Sequence, residues 1–143
     1  MATHAQHDGR RWHGSRLRAE TLGYLVQGRR QTYFAGDTAL FDGLAEITSL
    51  AGGNLDVALL PVWGWGPWLR GEHLNPHSAV DALALLEPRV SVPIHWGTFW
   101  PRGMSRIRRG VFADAGARFA EHAARSHPAT EVRVLTPGSS TVV

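Results

Sequence analysis

Cysteine is absent from the 143 residues, which excludes disulfides and thiolate metal sites and leaves His and carboxylate side chains to hold any metal. Lysine is absent too. All 15 cationic side chains are Arg, so a sequence pI of about 10.5 accompanies a formal net charge of only +3, too small an excess to demand a nucleic-acid partner. The first twenty residues lack the apolar core of a secretory signal. The longest uncharged apolar run, Val57 to Leu69, is too short and too rich in Gly and Pro to span a bilayer. A cytoplasmic chain without a transmembrane segment is therefore expected. No internal repeat and no linker divides it. With 43% hydrophobic residues, a single domain that buries a core is expected, and a disordered chain is excluded.

Thr21 to Gln27 and Gln31 to Ala35 are β-rich and separated by Gly28-Arg29-Arg30, the pattern of a hairpin with a short turn. Thr38 is placed to cap a helix carrying Leu40, Leu44 and Ile47, with Gly52-Gly53-Asn54 as its stop. Asp56 to Leu60 reads as a buried strand ended by Pro61. Asn75-Pro76 opens a helix with Ala79, Ala82, Leu83 and Leu86 on one stripe and Pro88 beyond its end. Val90 to Ile94 is a second buried strand. A helix between Met104 and Ala124 and a short strand from Val132 to Leu135 complete the order. Strand alternating with helix predicts an α/β fold, a mixed sheet with covering helices. The stretch His4 to Arg18 is polar and shows no periodicity.

Candidate chemistry gathers where strands end. Asp37 follows Tyr33-Phe34-Ala35-Gly36, and His95 follows Val90-Ser91-Val92-Pro93-Ile94. Ligands in open α/β sheets collect beyond the carboxyl ends of strands, so these two side chains can converge although distant in sequence. A hard carboxylate with imidazoles suits zinc, and also iron or manganese. Each residue also has a plain structural reading, as a turn-forming Asp and a satisfied buried His. Arg10, Arg11, Arg16 and Arg18 form one basic run and Arg102, Arg106, Arg108 and Arg109 another. Such runs could favour a phosphate-bearing substrate or surface, but solvated faces of a helix and a loop are the expected reading of both. Trp63, Trp65 and Trp68, interleaved with Gly64, Gly66 and Pro67, suit the packing of a long loop or an aromatic lip. His77, His122 and His127 have no convergent partner in the sequence pattern.

Four ordered strings, Tyr33-Phe34-Ala35-Gly36-Asp37-Thr38, Asp56-Val57-Ala58-Leu59-Leu60-Pro61, His73-Leu74-Asn75-Pro76 and Val92-Pro93-Ile94-His95-Trp96-Gly97-Thr98-Phe99, resemble the C-terminal motifs of the metallo-β-lactamase superfamily. Within it they are most similar to the branch of L-ascorbate-6-phosphate lactonase-like proteins and N-acyl phosphatidylethanolamine-hydrolysing phospholipases D. The resemblance runs to about Phe99. It implies the C-terminal half of an αββα sandwich, with residues 1 to 143 as one partial domain. It carries metal ligation to Asp37 and His95, and to His7 through the string Ala5-Gln6-His7, with His4 a nearer rival than His13. His73 matches a non-ligand His that faces the site and takes the catalytic role of binding substrate or steadying an oxyanion.

The superfamily's His-x-His-x-Asp-His motif occurs nowhere in the sequence, so the N-terminal half that carries it is expected to be absent. An exposed sheet edge and an uncovered apolar face would follow. The implied activity is that of a metal-dependent hydrolase using one or two zinc ions and a metal-bound hydroxide on a phosphodiester or lactone, in a small-molecule or phospholipid-like substrate. A homo-oligomer or a complementing chain would complete the shell. The competing class is a non-catalytic fragment or a basic nucleic-acid-binding module.

Overall fold

Six strands lie side by side in chain order in the computed structural model, which describes residues 1–10, 15–63, 73–97 and 114–143. They are β1 (Ala2–His4), β2 (Leu22–Gln27), β3 (Gln31–Phe34), β4 (Val57–Pro61), β5 (Val90–Ile94) and β6 (Glu131–Val132). β1, β2 and β3 pair antiparallel, and β3 to β6 pair parallel. The three residues between β2 and β3 permit only antiparallel return. Each parallel neighbour is instead reached by a crossover through a helix. These helices are α1 (Ala45–Leu50), entered through a 3-10 turn at Asp42–Leu44, α2 (Pro76–Leu86) and α3 (Ala115–Ser126).

Pleating sends alternate side chains to opposite faces. Leu25, Tyr33 and Ala58 stand on one face, where the core assembles with Leu44 and Ile47, with Leu83 and Leu86 of α2, and with Phe119 of α3. The other face carries Tyr24, Phe34 and Leu59 in register across β2, β3 and β4. Tyr24 is 48% exposed, Val26 59% and Phe34 40%. An uncovered apolar face is thus present among the described residues, as expected. No helix among them is long and apolar enough to cross a membrane.

Three local expectations need correction, and one strand is additional to those expected: β1, which meets the polar stretch only at His4 and whose three residues are too few to reveal by alternation. Its pairing with β2 decides it, with Ala2 opposite Tyr24 and His4 opposite Leu22. Thr38 does not cap α1. Its side chain is fully buried and its hydroxyl is used elsewhere. The last strand spans two residues, since only Glu131 and Val132 find partners on β5. The described helix near the end runs from Ala115 to Ser126, and the earlier part of its expected range, with the second Arg run, lies outside the described residues.

Asn75 begins α2 as expected. Its side-chain oxygen accepts from the backbone N–H groups of His77 at 2.9 Å and Ser78 at 3.2 Å, and Ser78 Oγ accepts from Asn75 N–H at 2.9 Å. This reciprocal capping box and the Pro at the first helical position fix where the helix starts. They also fix where the preceding loop, with His73, must end.

Candidate metal centre

Asp37 stands three residues beyond β3, after Gly36, whose φ is +63°. A Cβ on Gly36 would lie 2.7 Å from the carbonyl oxygen of Leu22, so both the left-handed backbone and the close approach require glycine. His95 follows β5 directly, itself at φ +57°. A non-glycine residue in that region is uncommon and is held by its surroundings. Its Nδ1 is 3.2 Å from the carbonyl oxygen of Trp63, to which it donates. Donation from Nδ1 leaves Nε2 of the neutral ring with a lone pair. That nitrogen lies 3.5 Å from Asp37 Oδ1.

His7 and His73 arrive from two loops. Their Nε2 atoms are 2.9 Å apart, with ring planes 73° to one another. The His73 ring lies parallel to that of His95 at a centroid distance of 5.7 Å. One ligating atom each from His7, Asp37 and His73 falls within 4.8 Å of the others. The structure therefore brings together all four residues singled out in the sequence. It places a ring nitrogen of His73 among the candidate donors, next to His7. His95 joins them through the Asp37 carboxylate and the face of the His73 ring. Both His7 and His73 are half-buried, and Asp37 is exposed. Imidazole and carboxylate donors at this spacing match the ligand chemistry of zinc and its neighbours.

Thr38 and Thr21 hold these loops, and sequence reasoning gave neither of them this role. Thr38 Oγ1 accepts from Gln6 N–H at 3.0 Å and donates to Ala39 O at 3.0 Å, and the Thr38 carbonyl accepts from Leu74 N–H at 2.8 Å. Ala39 N–H donates to Gln6 O at 2.7 Å. The neighbours of His7, Asp37 and His73 are thereby tied at one buried point. Thr21 Oγ1 donates to Ala5 O at 2.6 Å, bracing the strand end that leads to His7. The position of Thr38 next to Asp37 is the available signal, although a Thr before an apolar stripe equally suits a helix cap.

His4 is exposed, with its ring edge-on to Phe41, and takes no part in the cluster. His13, Trp65 and Trp68 lie outside the described residues, while Trp63 packs against the core. His77 and His122 do have a convergent partner: each other, at a ring-centroid distance of 4.2 Å. A cleft of about 260 Å³ opens beside His7, lined in part by Asp8, Arg18 and Glu20. A larger one, about 640 Å³, lies by Glu87, Arg89 and His127 and includes none of the cluster.

The model of the beta-lactamase superfamily domain matches residues 1–96. A UPF0173 metal-dependent hydrolase of Deinococcus radiodurans is 33% identical over 138 residues, which are 91% of this chain and 51% of that protein. The N-acyl-phosphatidylethanolamine-hydrolyzing phospholipase D 1 of Caenorhabditis elegans is 36% identical over 98 residues, 66% of this chain and 28% of that one. Among solved structures, Igni18, a metallo hydrolase from the archaeon Ignicoccus hospitalis, aligns with a TM-score of 0.69 and 28% identity over 96% of this chain and 49% of its own. The chain thus spans about half, or less, of the length of these proteins.

Proposed function

The chain belongs to the beta-lactamase superfamily domain family, and from that premise we propose that it forms the metal-holding portion of a hydrolase acting on a phosphodiester. The observation that carries this reading is the convergence of His7, Asp37 and His73 within 4.8 Å, with His95 Nε2 3.5 Å from the same carboxylate. Asp37 is the shared ligand in this proposal. His7 and His95 are the imidazole ligands that join it, and His73 completes the donor set next to His7. Zinc is the proposed ion, with iron or manganese as the alternatives that the same donors accept. When bound, it supplies Lewis acidity and lowers the pKa of a water.

The protein's own groups do the rest. Trp63 O fixes the His95 tautomer by accepting from Nδ1, so that Nε2 stays available as a donor to the ion. Thr38 keeps the His7 and His73 loops at their separation. The half-buried histidines exclude water from one side, while the exposed Asp37 edge leaves room for a substrate. The Caenorhabditis elegans relative, named for hydrolysing an N-acyl-phosphatidylethanolamine, supports a phosphodiester over the lactone, and a phospholipid-like molecule over a nucleic acid. Donors missing from the shell would come from further polypeptide, a second copy or a complementing chain.

The test is zinc content of the purified chain beside His7→Ala, Asp37→Ala and His95→Ala, together with hydrolysis of a generic phosphodiester. Near-stoichiometric zinc, diminished in each variant, is the expected outcome. Metal retained by Asp37→Ala at the parent level would overturn the assignment. Binding without hydrolysis would leave a metal-binding, non-catalytic module.

A further inference from the structure

We propose that His77 and His122 form a second divalent-ion site, bridging α2 and α3 outside the cluster of His7, Asp37, His73 and His95. The two rings come from separate elements, His77 from the first turn of α2 and His122 from the middle of α3. Their centroids are 4.2 Å apart, with planes inclined by 40°. His77 is exposed and His122 half-buried. Among the described residues no hydrogen bond or ion pair engages either ring. Two imidazole rings with uncommitted nitrogens are thus held in contact by helices that the core already fixes.

An ion binds imidazole nitrogen at about 2.0–2.1 Å. In the proposed site, side-chain rotation of the two neighbouring rings turns one nitrogen of each toward a common ion. Asp81 follows His77 by four residues, so it lies on the same helix face. It is exposed and, among the described residues, its carboxylate has no ion-pair partner. It is the third donor, reached by a rotamer change, with water completing the shell. Arg118, one turn before His122 on α3, is the nearby opposing charge in sequence. Glu121 is occupied by Arg125. Nitrogen donors select zinc, nickel or copper over magnesium and calcium. Occupancy would clamp α3 to α2 near the end of α2 that follows the His73 loop.

The site is tested in the full chain carrying His7→Ala and Asp37→Ala, which removes the first cluster. Zinc is titrated in above the ordinary His pKa of about 6.5, and the imidazole carbon–proton signals are followed by NMR. The expected result is that the His77 and His122 signals shift together and saturate at one equivalent, and that the event is lost in His77→Ala and in His122→Ala. Unmoved ring signals, or binding as tight as the parent's in either variant, would overturn the proposal. Should His122→Ala fail to fold, His122→Gln preserves size and polarity. A folded Gln variant that still binds as tightly overturns the proposal equally. Because the first cluster is already removed, failure here leaves the hydrolase reading untouched, and the reverse also holds.

Discussion

Thr38 acts at the scale of single atoms. Its hydroxyl and carbonyl join the chain beside His7 to the chain beside His73. Thr38→Val keeps the shape and removes the hydroxyl, leaving Gln6 N–H without this acceptor. A loss of about 1 kcal/mol in urea unfolding is expected, with weaker zinc binding as the loops separate. Unchanged zinc affinity would show that the loops are held by other means. Asp56 is the second such residue. Its Oδ2 accepts from Gln31 N–H at 2.8 Å and its Oδ1 from Arg30 at 3.0 Å, with Arg89 at 3.9 Å. The backbone donor first, then the Arg30 guanidinium, hold its carboxyl below the ordinary 3.8. A carboxyl depressed in the folded state adds stability that is complete above its unfolded pKa and is lost as pH falls through the folded one. Asp56→Asn is therefore expected to lower stability at neutral pH and to flatten its decline below about pH 4. Urea midpoints measured across pH would run parallel for both proteins if Asp56 made no such contribution.

α2 shows how an element carries the site. Asn75-Pro76 announced its start, and the stripe of Ala79, Ala82, Leu83 and Leu86 announced its buried face; both are observed. Asn75→Ala is expected to cost about 1 kcal/mol of stability. Because the loop ending at this cap holds His73, zinc affinity should fall with it. A variant that loses stability but binds zinc as before would uncouple cap from site. β5 was legible to the residue, Val90–Ile94, because a continuous apolar run between polar flanks suits a strand buried on both faces. β1 and β6 were not, since strands of three and two residues exist only through their neighbours' hydrogen bonds.

At the scale of the whole molecule, the helices among the described residues pack on one face of the sheet and leave Tyr24, Val26 and Phe34 exposed on the other. An exposed apolar face of this kind binds hydrophobic dyes. The parent chain is expected to enhance ANS fluorescence, and Tyr24→Lys with Phe34→Lys to reduce it at little cost in stability, because both side chains are already exposed. Equal fluorescence from both proteins would place the dye elsewhere.

The alternation of strands and helices, the nomination of Asp37 and His95 as candidate donors, and the ordered strings that resemble the family are all legible in the amino-acid order. Local patterning and strand-end placement are properties of short segments, so they can be read without the fold. The tertiary structure decided what depends on distance between remote segments. It set His73 at 2.9 Å from His7 and inside the donor cluster, turned Thr38 from an expected cap into the tie between loops, and brought His77 to His122 across two helices. Residues 66 and 45 positions apart in the chain meet only when packing of the sheet and its helices fixes their separation, and no periodicity records that.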